Sequence, residues 1–170
     1  MNIRSPGTQT RQFDSRDFRR ALSQFATGVT VITTRQTNGS YMGVTANSFN
    51  SLSLEPPLVL WSLANHASSM PIFSGNSHYV INVLAADQAH LAEQFSKRME
   101  NRFEGVDFTL SRTGQPVLKG VTAWFECHNR SRYPEGDHVI FVGEVEHCET
   151  DPKAALLFHG GRFDETKATP

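Results

Sequence analysis

The 170-residue chain is 38% hydrophobic and 19% charged, with a net charge of −1. That is the composition of an ordinary soluble domain with enough length for a real core. The charge balance gives no electrostatic case for nucleic acid or an anionic membrane, and no stretch approaches the roughly 20 apolar residues of a spanning helix. Cys127 and Cys148 stand alone, outside any CxxC pair, which argues for a reducing compartment and places the chain in the cytoplasm as an expectation.

Residues 1–12 are polar, with Pro6 and Gly7. They are expected to form a flexible arm, and they carry no apolar run that would serve as a secretory leader. Residues 13–165 then read as a single domain. Asp14 suits a helix N-cap and Asp17 its first turn. Phe18, Leu22 and Phe25 fall on one helical stripe, with Arg16, Arg19 and Arg20 off it. This helix is expected to stop near Thr27-Gly28 and to pack over a barrel mouth rather than do chemistry.

Gly28 opens VTVITTR, a β-branched strand, and Asn38-Gly39 is a hairpin turn signal. The return strand is SYMGVTANSF, followed by a break in pairing at Pro56-Pro57 and a third strand, LVLWSL. A short helix is expected between Asn65 and Gly75, and a fourth strand over residues 78–85. Asp87 is expected to cap a helix carrying Leu91, Ala92 and Phe95. Ser96 to Gly114 reads as a long connection with little periodicity, the kind that is functional or mobile. In VTAWFECHNRSR, Val121, Ala123, Phe125 and Cys127 alternate with Thr122, Trp124, Glu126 and His128. YPEGD is a turn, and HVIFVGEVEHC a long strand in which Gly143 suggests a bulge or a close backbone approach. Asp151-Pro152 starts a turn, KAALLF follows, and GGRF leads to a polar tail. Many strands, few helices and short connections indicate an antiparallel barrel or sandwich.

One stretch fits neither a core strand nor a surface loop. GVTANSFNSLSLEPP, residues 43–57, is polar yet has Glu55 as its only ionisable side chain. Thr45, Asn47, Ser48, Ser51 and Ser53 supply small hydroxyls and amides, while Gly43 and Ala46 leave the backbone unshielded. Such a surface suits the edge of a neutral heterocycle or a phosphate. A Ser/Asn-rich turn ending at the prolines accounts for the same composition. Elsewhere there is no GxGxxG after a strand, no P-loop, no HExxH and no GxSxG elbow. His128, His138 and His147 lie about ten residues apart, too far for ordinary metal spacing, so no metal is expected.

Six pieces in order resemble the small flavin reductases, the reductase components of two-component, flavin-diffusible monooxygenases such as the phenol, 4-hydroxyphenylacetate and chlorophenol hydroxylase systems. They are FATGVTVITT (25–34), GVTANSFNSLSLEPPLVLWSL (43–63), SSMPIFSGNSHYVINVL (68–84), NRFEG (101–105), GDHVIFVGEVE (136–146) and LLFHGGRF (156–163). The resemblance implies a mostly β, antiparallel, Greek-key-like FMN-binding split β-barrel with a few peripheral helices, assembled as a homodimer. It implies hydride transfer from NADH or NADPH to FAD or FMN, with reduced flavin diffusing to a partner monooxygenase that hydroxylates an aromatic or similar substrate. Hydride transfer needs stacking and positioning more than acid–base help.

Residue by residue, the resemblance implies ring and ribityl contacts from Thr30, Thr45, Ala46, Asn47 and Ser48, then Ser53. Phosphate contacts would come from Ser62, Leu63, Ala64, Ser68 and Ser69, with Ser68-Ser69 at a helix N-terminus and Lys97 and Arg102 as cations. Phe103 would lie against a ring or anchor its loop. His138 of GDH would stand beside the nicotinamide as the catalytic residue, with Gly136 and Asp137 shaping the turn. Arg162 and Phe163 would close over the site, Arg162 meeting a pyrophosphate. Two alternatives use the same barrel: a non-enzymatic flavin- or haem-binding protein, and a pyridoxamine-phosphate-oxidase-like enzyme, which would need Arg and Lys residues that are missing around 60–75. The twelve phenylalanines could fill a barrel, a dimer interface or a ring-binding cleft.

Overall fold

The computed structural model describes residues 12–167. The arm expected over 1–12 therefore lies, apart from Gln12, outside the described residues. The central element is β2 (Thr30–Arg35), which pairs antiparallel with β3 (Tyr41–Ala46) on one side and β6 (His78–Val83) on the other. Its sequence, TVITTR, is β-branched because both of its faces are covered: Val31 joins one apolar cluster and Ile32 the other. From β6 the sheet continues through β9 (Ala123–Glu135), β10 (His138–Thr150) and β5 (Pro57–Ala64) to β4 (Asn50–Leu54). The ladder of seven strands thus runs from β3 to β4, two strands joined by only residues 47–49. That corner is where the barrel is split.

The first cluster holds Val29, Val31, Leu84, Leu91, Phe95 and Leu118, under α3 (Ala89–Ser96). The second holds Ile32, Trp61, Phe73, Tyr79, Ile81 and Phe141, with Trp61 stacked on Phe141 at 4.7 Å. The remaining elements are α1 (Ser15–Leu22), β1 (Thr27–Gly28), α2 (Met70–Gly75), β7 (Phe108–Leu110), β8 (Pro116–Leu118), β11 (Leu156–His159) and β12 (Arg162–Glu165). β1, β11 and β12 form a small sheet of their own, and β7 pairs with β8.

Several expectations are corrected. The first helix ends at Leu22, short of Thr27-Gly28, because Ser23 caps it and donates its backbone N–H to Arg19. Its stripe is not buried, Phe18 being 52% and Leu22 56% exposed, although Arg19 and Leu22 border the opening beside residues 47–50. The second strand stops at Ala46, and the Ser-rich half beyond it is a strand in its own right. Pro56-Pro57 does not break pairing; a cis Glu55–Pro56 peptide forms the hairpin turn, and Pro57 pairs with Leu54. The long connection after Ser96 contains β7. Asp87 lies in a 3-10 turn, Ala86–Gln88, and the residue before α3 is Gln88, whose amide accepts from Ala85 N–H and donates to the Lys119 carbonyl. In β9, Phe125 and Cys127 pack on the second cluster, whereas Val121, just before the strand, belongs to the first. Gly143 is a close approach, as expected. A Cβ there would collide with the Tyr79 hydroxyl, and the ladder shifts register beside it.

Candidate functional site

The corner between β3 and β4 forms one wall of a cleft of about 880 Å³, within the usual size range for a ligand site. Asn47, Ser48, Phe49 and Asn50 line that wall with Ser62 of β5. The facing wall comes from Leu22, Phe25, Thr27 and Gly28, with Phe158 of β11.

Ser48 explains how a gap in the sheet is kept open. Asn50 pairs with Leu60, so the next pair in that register would be Ser48 with Ser62. The chain has already turned away, and the Ser48 side chain stands in for the missing backbone. Its Oγ accepts from Ser62 N–H at 3.0 Å and donates to the Ser62 carbonyl at 3.2 Å. Both edge groups of Ser62 are thereby satisfied without a strand. Asn47 is left exposed at the tip.

Other hydroxyls of the stretch also hold the frame. Thr30 donates to the Ala46 carbonyl at 2.6 Å, fixing the end of β3. Thr45 donates to the Ala92 carbonyl at 2.6 Å, tying β3 to α3. Each is spent as a donor, though its lone pairs can still accept. Ala46 is half-buried at the strand end, and Ser53 is half-buried on β4.

The structure divides the expected phosphate residues. Ser62 reaches the cleft; Leu63 is buried in the core and Ala64 lies one residue beyond, beside His138. Ser68 is exposed, but Ser69 is 2% exposed and faces the interior at the start of a six-residue helix. Arg102 does not come to the cleft. Its Nη1 donates to the Gly43 carbonyl at 2.8 Å, and it borders a separate groove with Tyr41 and Phe108; burial pushes its guanidinium pKa down. Phe103, 8% exposed, packs edge-on against Phe95 and Phe108. Of its two expected roles the anchor is the one this packing serves. Lys97 is exposed just past α3. Arg162 and Phe163 open β12, where Phe163 meets Phe158 edge-on and so stands behind the cleft wall.

His138 opens β10, across from Ala64, while Ile140 faces Ser62. Because side chains two apart share a face, His138, Ile140, Ser62 and Ala64 lie on one surface. The hairpin turn before it, Gly136-Asp137, is pinned from β5: Asn65 N–H donates to the Asp137 carbonyl at 2.9 Å. Gly136 has φ 60°, the left-handed backbone that a two-residue hairpin turn demands. His138 Nδ1 lies 2.7 Å from Asp137 Oδ1, and this hydrogen bond holds the Asp137 carboxyl below its ordinary range.

Sequence reasoning missed Phe49, Asn50, Leu22 and the pair Thr27-Gly28 as cleft residues. The signal was present for most of them, inside the motifs at 25–34 and 43–63. Thr27 Oγ1 is the clearest trace of a ligand surface: it is buried and has no hydrogen-bond partner among the described residues. An unsatisfied buried hydroxyl on a cleft wall fits a polar ring edge or ribityl chain. Near-absence of charge on the 47–50 wall fits a neutral ring. Among the described residues no group of three or more His, Cys, Asp or Glu is arranged to hold a metal ion, and no helix is long and apolar enough to cross a membrane.

Comparison with known proteins bears on this cleft. The model of the flavin reductase like domain matches residues 22–167. The chain is 46% identical over 153 residues to FMN reductase (NADH) SmoA of Agrobacterium fabrum, covering 88% of this chain and 85% of that one. It is 38% identical to the reductase component of the flavin-dependent trigonelline monooxygenase of Acinetobacter baylyi, covering 87% of this chain but only 48% of that longer protein. A crystal structure of the NADH:FAD oxidoreductase SgcE6 of Streptomyces globisporus, in complex with NAD and FAD fragments, superposes with a TM-score of 0.86 at 36% identity, covering 93% of this chain and 98% of that one.

Proposed function

Because this chain belongs to the flavin reductase like domain family, we propose that it is an NAD(P)H:flavin oxidoreductase that passes a hydride from NADH or NADPH to FAD or FMN. The observation that carries the reading is the cleft itself, walled by the uncharged 47–50 corner and by the unpartnered Thr27 hydroxyl. Bound flavin supplies the electrophile and nicotinamide the hydride; the protein supplies position. Thr27 and Asn47 offer polar atoms to the ring edge or ribityl chain, and Ser48 holds the corner in place. Phe49 and Phe158 give the cleft apolar surface and exclude water. His138, on the same face as Ser62, orients the nicotinamide. Arg19, which lines the cleft, and Ser68, Lys97 and Arg162 outside its lining are the polar groups for phosphates.

Residues 13–165 act as one domain in this reading. The released reduced flavin serves a flavin-dependent monooxygenase, a reading supported by the relative named as the reductase component of a flavin-dependent trigonelline monooxygenase. The exposed stripe of α1 and the twelve phenylalanines support a homodimer. The two free thiols, Cys127 and Cys148, support a cytoplasmic setting.

The test is oxidation of NADH and NADPH with FAD, FMN and riboflavin supplied in turn. Turnover with at least one pair is expected. Flavin binding without nucleotide oxidation would leave a binding protein in its place. Light scattering at micromolar concentration tests the assembly, and a monomeric mass would remove the homodimer.

A further inference from the structure

We propose that Asp137 is a positioning residue that fixes which nitrogen of His138 carries the proton, so that neutral His138 presents a lone pair at Nε2 and accepts the carboxamide N–H of the nicotinamide. This rests on the reading of His138 as the nicotinamide contact. The geometry is simple. Asp137 Oδ1 lies 2.7 Å from His138 Nδ1. A carboxylate can only accept, so the proton of a neutral imidazole must reside on Nδ1 and the free acceptor is Nε2. An imidazole left to itself in water prefers the opposite tautomer and would offer Nε2–H, a donor, to the same ligand.

Three features separate this role from a structural one. The turn is held without the Asp137 side chain, through Asn65 N–H to the Asp137 carbonyl at 2.9 Å and the Asn65 side-chain Nδ2 to the Gly136 carbonyl at 3.3 Å. The Asp137 side chain is 89% exposed and its only hydrogen bond among the described residues is to His138. The His138 side chain is 46% exposed, so one of its nitrogens is free to meet a ligand. Glu135 across the ladder and His66 after β5 are the other titratable groups nearby, and neither hydrogen-bonds the ring among the described residues.

The acceptor role also makes a choice between ligands. An acceptor at Nε2 selects a donor, and the carboxamide of NADH has one. The reduced 3-acetylpyridine analogue keeps the carbonyl and lacks the N–H. Wild type should therefore prefer NADH over the analogue, and Asp137→Ala should narrow that preference by roughly twofold to tenfold, the range of one ordinary hydrogen bond.

The experiment measures kcat/KM for both nucleotides in wild type, Asp137→Ala, Asp137→Glu, His138→Ala and the double variant, with 15N NMR of the His138 ring. Expected results are Nδ1–H in wild type, a shift toward Nε2–H in Asp137→Ala, rescue by Asp137→Glu, and no further loss from Asp137→Ala once His138 is absent. If His138→Ala leaves nucleotide kinetics unchanged, the nicotinamide reading fails. If His138→Ala impairs them while Asp137→Ala changes neither tautomer nor preference, that reading stands and the positioning role is overturned.

Discussion

α1 and α3 are both eight-residue helices with an apolar stripe, yet they end up on opposite terms with the core. α3 buries Leu91, Ala92 and Phe95 and is stitched to β3 by Thr45, and Phe95 fills the space that a side chain at Gly43 would need. α1 buries nothing. Its order is local: Asp14 and Asp17 form a capping box, and Arg16 and Arg20 pair with those same carboxylates on the surface. Exposed pairs of this kind contribute little, the cap adds about 1 kcal/mol, and isolated helices this short are marginal. The stripe alone does not decide burial; what faces it does. α3 faces a strand with a glycine cut into it, whereas α1 faces the cleft.

The sharpest way to break this comparison is to delete one ring from each helix. Phe95→Ala should cost about 3–5 kcal/mol of stability, as large core aromatics do. Phe18→Ala should stay within about 0.5 kcal/mol in dilute protein, as exposed substitutions do. Chemical denaturation measures both, and similar losses would show that α1 is covered in solution. The covering partner would then be read from how the Phe18 effect grows with protein concentration.

Gly43→Ala tests the same contact from the strand side. The new methyl would run into the Phe95 ring, which packs edge-on against Phe103 at 5.0 Å between centroids. Overpacking here should cost about 1–3 kcal/mol. A neutral result in thermal unfolding would mean that α3 can slide, contrary to a tight brace.

The same contrast governs how much of the molecule was legible in the sequence. β2, β9, β10 and the packed face of α3 are visible as patterns because their partners demand those patterns. The end of α1 was not visible: Phe25 continues the period of three and four, and only the Ser23 cap stops the helix. β4 was hidden because an edge strand with few apolar neighbours has little reason to be apolar. In the site, the 47–50 corner could be found by its lack of charge. Arg102 and Phe103 could not be placed, since a basic–aromatic pair looks the same whether it meets a ligand or turns inward to Gly43 and Phe95. The role of Ser48 needed the ladder register, which no residue pattern carries.

Glu126 gives a pH-dependent version of the packed side. It is 1% exposed and accepts from Thr113 N–H at 2.9 Å and Thr113 Oγ at 2.6 Å. Burial works to raise its pKa, but the hydrogen bonds from Ser111 and Thr113 and the nearby His78 outweigh it, so the group titrates below its ordinary 4.5. A lowered carboxyl binds its proton more readily in the unfolded chain, so its stabilisation is full above about 4.5 and fades as the pH falls further. Glu126→Gln should cost roughly 1 kcal/mol at neutral pH, and its gap to wild type should close on acidification. A gap that stays constant from pH 7 to about 3 would show that the charge is immaterial.

The smallest expected effects separate Asn47 from Ser48 at the split itself. Asn47 is exposed on the cleft wall and makes no side-chain hydrogen bond among the described residues, so Asn47→Ala should leave stability within about 0.5 kcal/mol. Its flavin affinity should fall by about 0.5–1.5 kcal/mol if the amide meets the ring. Ser48→Ala removes both bonds to Ser62 and strands an edge N–H and C=O, so it should lower stability by about 1 kcal/mol and loosen flavin as well. The paired measurement is flavin titration beside urea unfolding on each variant. Loss of flavin binding in Ser48→Ala alone would make the corner a scaffold and move the ring contacts to the Thr27 wall. Loss in Asn47→Ala without any change in unfolding would put the ring against the tip of the corner, across the cleft from Leu22 of α1.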